Sequence, residues 1–141
     1  IGFDSLTLAG TSTYNYELTG GGSTADLGNV LGSLTLSDAT LDLTQLGTYT
    51  PGDKFTLFAY PTGNLTGTFA GLLDGAIFND AGGDWQINYA DSLAGLNGGT
   101  GSSFVTITAI PEPSTVVLGG LALLGFVGAG LRKRRLAKTQ A

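Results

Sequence analysis

From Ser114 to Leu131 the chain runs 18 residues without a charge, and Arg132-Lys133-Arg134-Arg135 follow at once. At about 1.5 Å per helical residue the run reaches roughly 27 Å, close to the hydrocarbon thickness of a bilayer, so one transmembrane helix over 114–131 is expected. Nine strongly apolar residues, from Val116 to Leu131, are interrupted by Gly119, Gly120, Gly125, Gly128 and Gly130. On an insertion scale the nine contribute roughly −3 to −5 kcal/mol, from which the glycines and hydroxyls subtract. Insertion is therefore marginal, as suits a temporary tether or a helix with neighbours, for which Gly125 and Ala129 offer a small-residue face. A buried helix of a soluble domain fits less well, because no polar face appears and a basic cluster follows.

Charge orients the segment. Ahead of residue 111 nine Asp and Glu17 face a single base, Lys54, for a net −9; beyond it Glu112 and five bases give +4. Lys and Arg flanking a span stay cytoplasmic, so residues 1–110 are expected to be exported and the tail 136–141 to remain cytoplasmic. A nucleic-acid role for Arg132–Arg135 is excluded by the acidic remainder, which repels phosphates.

Immediately before the apolar run stand Pro111-Glu112-Pro113-Ser114. Pro-Glu-Pro, a short apolar helix and a terminal Arg-rich cluster, in that order, resemble the PEP-CTERM sorting domain of Gram-negative bacteria. The resemblance implies that a membrane-embedded exosortase reads the motif, removes the helix and passes the protein to the cell surface or extracellular matrix. It assigns recognition to Pro111, Glu112 and Pro113 and retention to Arg132, Lys133, Arg134 and Arg135, with 111–135 as the whole signal.

The chain has no Cys and no His. Disulfide scaffolds, thiolate or imidazole zinc sites, Ser-His-Asp triads and Cys-His nucleophiles are thereby excluded within it. An exported protein needs a signal peptide, and none opens at Ile1, so the chain reads as the C-terminal piece of a longer precursor.

Residues 1–110 read as all-β. Gly, Thr, Ser, Asn and Asp clusters separate short runs with period-two alternation. Leu6 and Leu8 share a face, as do Tyr14, Tyr16 and Leu18; Leu34 and Leu36, then Leu41 and Leu43, repeat the pattern across Ser37-Asp38-Ala39-Thr40. Phe55–Tyr60 is apolar on both faces apart from Thr56, the pattern of a doubly buried strand. Trp85, Ile87 and Tyr89 alternate with Gln86 and Asn88, and Val105, Ile107 and Ala109 with Thr106 and Thr108. These runs place Leu34, Leu36, Leu41, Leu43, Phe55, Leu57, Trp85, Ile87, Val105 and Ile107 inside. A single helical turn is expected over Gly71–Ala76, and a loop over Asn97–Gly101.

Two architectures accommodate such strands, a β-sandwich and the stacked coils of a β-solenoid. Asp26–Val30, Gly32–Leu36 and Ala39–Leu43, followed by Thr50–Phe58, Leu65–Ala70, Trp85–Tyr89 and Val105–Thr108, resemble the strand repeats and closing segment of autotransporter passengers. That resemblance covers roughly residues 14–109. It implies the C-terminal end of a right-handed β-solenoid, with the aromatic-rich final segment capping the coil, although the PEP-CTERM tail stands where the family has a translocator barrel.

Several residues have the chemistry of a site. Asp80, Asp84 and Asn79 around Gly82-Gly83 offer oxygens to Ca²⁺, but their spacing matches neither an EF-hand nor the nonapeptide calcium repeats, so a solvated turn is expected. Asp38 with Asp42, or Asp53 with Asp74, would have to lie about 5–9.5 Å apart for glycoside hydrolysis. Trp85 has the ring to stack a sugar, yet its alternation with Ile87 and Tyr89 places it in the core. Asn64-Leu65-Thr66 is a glycosylation-type triplet only, and Gly99–Ser103 lacks the lysine of a P-loop. No catalytic residue, metal site or cofactor is expected. The function that emerges is an exported surface or matrix scaffold, adhesin-like, sorted by an exosortase and facing extracellular polysaccharide. The rival is an exported polysaccharide-active enzyme or carbohydrate-binding protein whose functional domain lies upstream.

Overall fold

The computed structural model describes residues 1–19 and 24–111. Ile1–Ile110 forms one unit by its own contacts. The strands are β1 (Gly2–Phe3), β2 (Leu6–Leu8), β3 (Thr13–Leu18), β4 (Gly28–Val30), β5 (Leu34–Ser37), β6 (Thr40–Gln45), β7 (Lys54–Tyr60), β8 (Leu65–Thr68), β9 (Ile77–Asp80), β10 (Gly83–Asp91) and β11 (Ser103–Ile110). Among the described residues no helix occurs, and none is long and apolar enough to cross a membrane. The helix expected over 114–131 lies outside the described residues.

The first eight strands follow one rule: each pairs in parallel with a strand three places before or after it. β1 pairs with β4 and β4 with β7; β2 pairs with β5 and β5 with β8; β3 pairs with β6. Three faces are thus built side by side from successive passes of the chain, and like residues stack on like. Leu6 lies opposite Leu34, and Leu34 opposite Leu65; Tyr14 lies opposite Leu41, and Tyr16 opposite Leu43. The period-two pattern dictates this, because a one-residue slip would turn every leucine outward. Corners between faces fall at turn residues, such as Asp38 at φ 55° between β5 and β6.

At β7 the rule changes. Its other edge pairs antiparallel with β11, and β11, β10 and β9 continue antiparallel, so one six-stranded sheet runs β1-β4-β7-β11-β10-β9. Phe55 to Tyr60 are all buried, as expected of a strand covered on both faces. Trp85 sits beneath Tyr49 and Phe55, with ring centroids 4.6 and 6.0 Å apart. All ten residues assigned to the interior from their alternation are buried. Thr106, expected on the polar face, is buried too; its hydroxyl donates to Asp91 Oδ2 at 3.0 Å.

The turn of helix expected over Gly71–Ala76 does not form. Gly71 and Gly75 take left-handed φ of 69° and 76°, and a short bridge joins Phe69 to Leu72, so the segment is two tight turns. Tyr89 holds it: its hydroxyl donates to Leu72 O at 2.8 Å and accepts from Phe69 N at 2.9 Å.

Leu57 has no exposed surface at the centre of β7. Leu57→Asp would bury an unpaired charge where both faces are apolar, removing about 3–5 kcal/mol, comparable to the whole stability of a small domain. Loss of a cooperative thermal transition in the variant is the expected outcome.

Candidate functional site

Each residue considered from sequence now has a position. Asp80, at the end of β9, closes an edge of the stack. Its Oδ2 accepts from Leu43 N of β6 at 2.8 Å and its Oδ1 from Ala81 N at 2.7 Å, while its carbonyl accepts from Trp85 Nε1 at 3.0 Å. Asn79 Nδ2 donates to Asp84 Oδ1 at 2.8 Å. These oxygens serve the protein's own donors, and no group of three or more potential metal ligands occurs among the described residues. Trp85 is fully buried, so its ring presents no surface to a sugar. Asn64 belongs to the coil, its side chain donating to Gly32 O at 3.3 Å.

The acids are likewise engaged. Asp53 Oδ2 accepts from Thr50 N at 2.8 Å in the turn before β7, and Asp74 Oδ1 accepts from Tyr89 N at 2.9 Å. Asp38 occupies the left-handed corner position and Asp42 an exposed place on β6. A different pair shares a hollow: Asp74 and Asp91, with Asn88, Ala90 and Ser92, line a recess of about 300 Å³. Sequence reasoning missed it because the two are brought together only when the turn after β8 folds against the end of β10.

Asp91 is not poised as a proton donor. Burial pushes its pKa up, but hydrogen bonds from Lys54, Leu93 N and Thr106, with the Lys54 charge, outweigh that and hold the carboxyl below its ordinary range. Lys54 Nζ lies 2.6 Å from Asp91 Oδ2. Nearby, burial first, then the Asp74 charge, against a hydrogen bond from Phe69 N, pushes the Tyr89 phenol up to about 12. It stays neutral at physiological pH and serves the fold.

The polar site with the most connections is Asn97, which the sequence marks only as loop. β4 reaches only Phe58 and Ala59 of β7, so the edge at Thr56 lacks a strand. Asn97 supplies one amide in its place: Oδ1 accepts from Thr56 N at 2.7 Å, and Nδ2 donates to Thr56 O, Asp26 O and Tyr16 Oη at 2.8, 2.8 and 2.9 Å. Leu96 N adds a bond to Lys54 O at 2.8 Å.

Outside, the β2-β5-β8 register sets Thr7 beside Thr35 and Thr35 beside Thr66. Adjacent strands lie about 4.8 Å apart, so these threonines form an uncharged row on the face opposite the leucines. Thr7 and Thr66 are exposed and Thr35 is half-buried.

At the other end of the unit, β11 finishes at Ile110 with Ala109 N bonded to Asp53 O at 2.9 Å. Pro111, exposed, has no N–H with which to extend the ladder. The family model of the PEP-CTERM protein-sorting motif matches residues 109–135. The chain carries that sorting motif. The matched span includes Pro111, Glu112, Pro113 and the cluster Arg132, Lys133, Arg134 and Arg135; all of these but Pro111 lie outside the described residues. A PEP-CTERM motif implies export and exosortase-dependent sorting to the cell surface. No family match supports the likeness of residues 14–109 to autotransporter strand repeats. No curated protein and no solved structure matches the chain.

Two outcomes follow from this geometry. Asn97→Ala leaves Thr56 N–H without its partner inside the protein, so a loss of about 2–4 kcal/mol in urea or thermal unfolding is expected. Asp91 has a lowered pKa in the fold, so protonation favours the unfolded chain. The stabilisation is full above about pH 4 and fades as pH falls through the still lower folded value. Asp91→Asn should lower stability at pH 7 by about 1–2 kcal/mol and flatten the loss on acidification, measured as thermal midpoints from pH 7 to pH 3.

Proposed function

We propose that the chain is the C-terminal part of an exported surface or matrix scaffold: a right-handed β-solenoid end, closed by an antiparallel cap, then a cleavable sorting signal. The sorting motif over 109–135 is the observation that carries the reading. It begins within the last strand of the unit, so whatever removes the signal leaves β1 to β11 nearly whole. Pro111, Glu112 and Pro113 are the recognition residues for the exosortase, the segment 114–131 spans the inner membrane before cleavage, and Arg132 to Arg135 hold it with the C-terminus cytoplasmic. Pro111, without an N–H, cannot extend the β11 ladder into the motif.

The parallel pairing of every third strand supports the solenoid over the sandwich, since a sandwich is joined by antiparallel hairpins. The role of residues 1–110 is passive. Their carboxylates, wherever partners are described, accept from backbone amides, Asn79, Thr106 or Lys54, and the outward Thr7-Thr35-Thr66 row offers hydroxyls to an extracellular polysaccharide without chemistry of its own.

Processing is directly measurable. Expressed behind a signal peptide in a host with an exosortase, the mature protein should lose everything beyond the region of Pro111–Pro113. Intact mass reads this, and a mature form still carrying Arg132 to Ala141 would overturn the sorting role.

A further inference from the structure

The parallel strands are covered on one side at β7 and β6, while β8 stays the edge strand of its sheet. Toward the C-terminus the edge of β7 is paired with β11, and β6 takes the Asp80 carboxylate. On the other side β1, β2 and β3 are the terminal strands of their sheets, with Asp26 bonded to the end of the outer β3 edge, its N donating to Glu17 O at 3.2 Å and its Oδ2 accepting from Glu17 N at 3.3 Å. Leu6 N donates to Ser33 O at 3.0 Å, which turns the alternate amide of Thr7 to the free edge; on β3, Thr40 N bonds Ser12 O and Leu46 N bonds Leu18 O, which leaves Asn15 facing outward likewise. Behind these edges a hollow of about 550 Å³ opens, lined among others by Phe3, Leu6, Leu8, Tyr14 and Phe58.

The repeat itself says what fits there. Phe3, Leu6, Leu8 and Tyr14 are all partly exposed, whereas their partners one pass later, Val30, Leu34, Leu36 and Leu41, are 2, 0, 0 and 9% exposed. Val30, Leu34 and Leu36 lie on strands paired at both edges, whereas Phe3, Leu6 and Leu8 lie on strands paired at one; on β3, paired at one edge like β6, Tyr14 is partly exposed while Tyr16 and Leu18 are buried. A second copy meeting this face with its own open edge would pair antiparallel, and would bring Asp4, Glu17 and Asp26 of each copy together with no Lys or Arg among β1 to β3 to offset them. Ile1 already runs in register, its amine donating to Leu27 O and its carbonyl accepting from Asn29 N. The chain therefore enters alongside β4 and does not cross over the hollow.

We propose that the free face of β1, β2 and β3 is an internal surface, covered by one more three-stranded coil of the same polypeptide running ahead of Ile1, its strands parallel to these and its apolar side chains filling the hollow. This rests on the solenoid reading above.

The test compares the chain from Ile1 with the same chain lengthened by its own genomic sequence, both in one detergent. Amide exchange at Thr7 and Asn15 should slow about 100-fold in the longer protein, as edge amides become ladder amides. Leu6→Glu should lower the thermal midpoint of the longer protein as much as Leu34→Glu does, yet scarcely move that of the shorter. Fast exchange at Thr7 and Asn15 in the longer protein would overturn the proposal. So would protection already present in the shorter chain, whether as a dimer, which would assign the face to a second copy, or as a monomer, which would assign it to the C-terminal tail. If Leu34→Glu is also harmless the solenoid reading itself falls; if only the exchange result fails, that reading stands and this inference does not.

Discussion

The structure turns on β7, whose two edges answer to different rules. On one side it continues parallel stacking begun by β1 and β4; on the other it accepts an antiparallel sheet. A strand buried on both faces has no water to satisfy its backbone, so each N–H and C=O along it needs a partner from the protein. β4 is too short to supply them all, and the shortfall at Thr56 is made good by the Asn97 carboxamide, a side chain with the same donor and acceptor as a peptide group. That substitution ends the parallel pairing without leaving an orphaned amide in the core. It also ties the 92–102 loop to Tyr16 and Asp26, adding to the β7–β11 pairing and the Asp80 bond to Leu43.

Capping recurs elsewhere by the same means. Asp80 takes the Leu43 amide where no further strand adds to β6, and the Tyr89 hydroxyl bonds both ends of the turn that leaves β8. Asp80 thereby occupies an amide on a β6 edge that would otherwise offer a template for another strand, while Tyr89 fixes the turn. The aromatic residues of the last third have a complementary task. Trp85, Phe55, Phe69 and Tyr89 fill the coil end with large rings, so the leucine column stops against packed surface instead of water.

These arrangements also bind the acids of the domain into the fold. Asp53, Asp74, Asp80 and Asp91 all accept backbone or lysine hydrogens, and the one with a resolved shift is held ionised. A general acid for glycoside hydrolysis needs the opposite, a carboxyl kept protonated by an apolar pocket. The outward faces carry the Thr7-Thr35-Thr66 row together with exposed acids such as Asp42 and scattered apolar residues such as Leu31 and Leu73.

The sorting signal was legible because it is linear: Pro-Glu-Pro, the apolar run and the basic cluster act through order and composition along 25 or so residues, and a local pattern needs no fold to be read. Strand positions and buried faces were legible for a similar reason, since alternation such as Trp85-Gln86-Ile87-Asn88-Tyr89 fixes which side turns inward wherever the strand lies. The Gly71–Ala76 segment misled because two left-handed glycines and a distant tyrosine, not local propensity, decide its path. Only tertiary structure decided the partners: that β2 pairs with β5 and not by hairpin with β3, that Asn97 completes β7, that Asp74 meets Asp91, and that Thr7, Thr35 and Thr66 line up. Pairing depends on which residues far apart in the chain come to share an edge, and alternation carries no record of that, because any two amphipathic strands satisfy the same pattern.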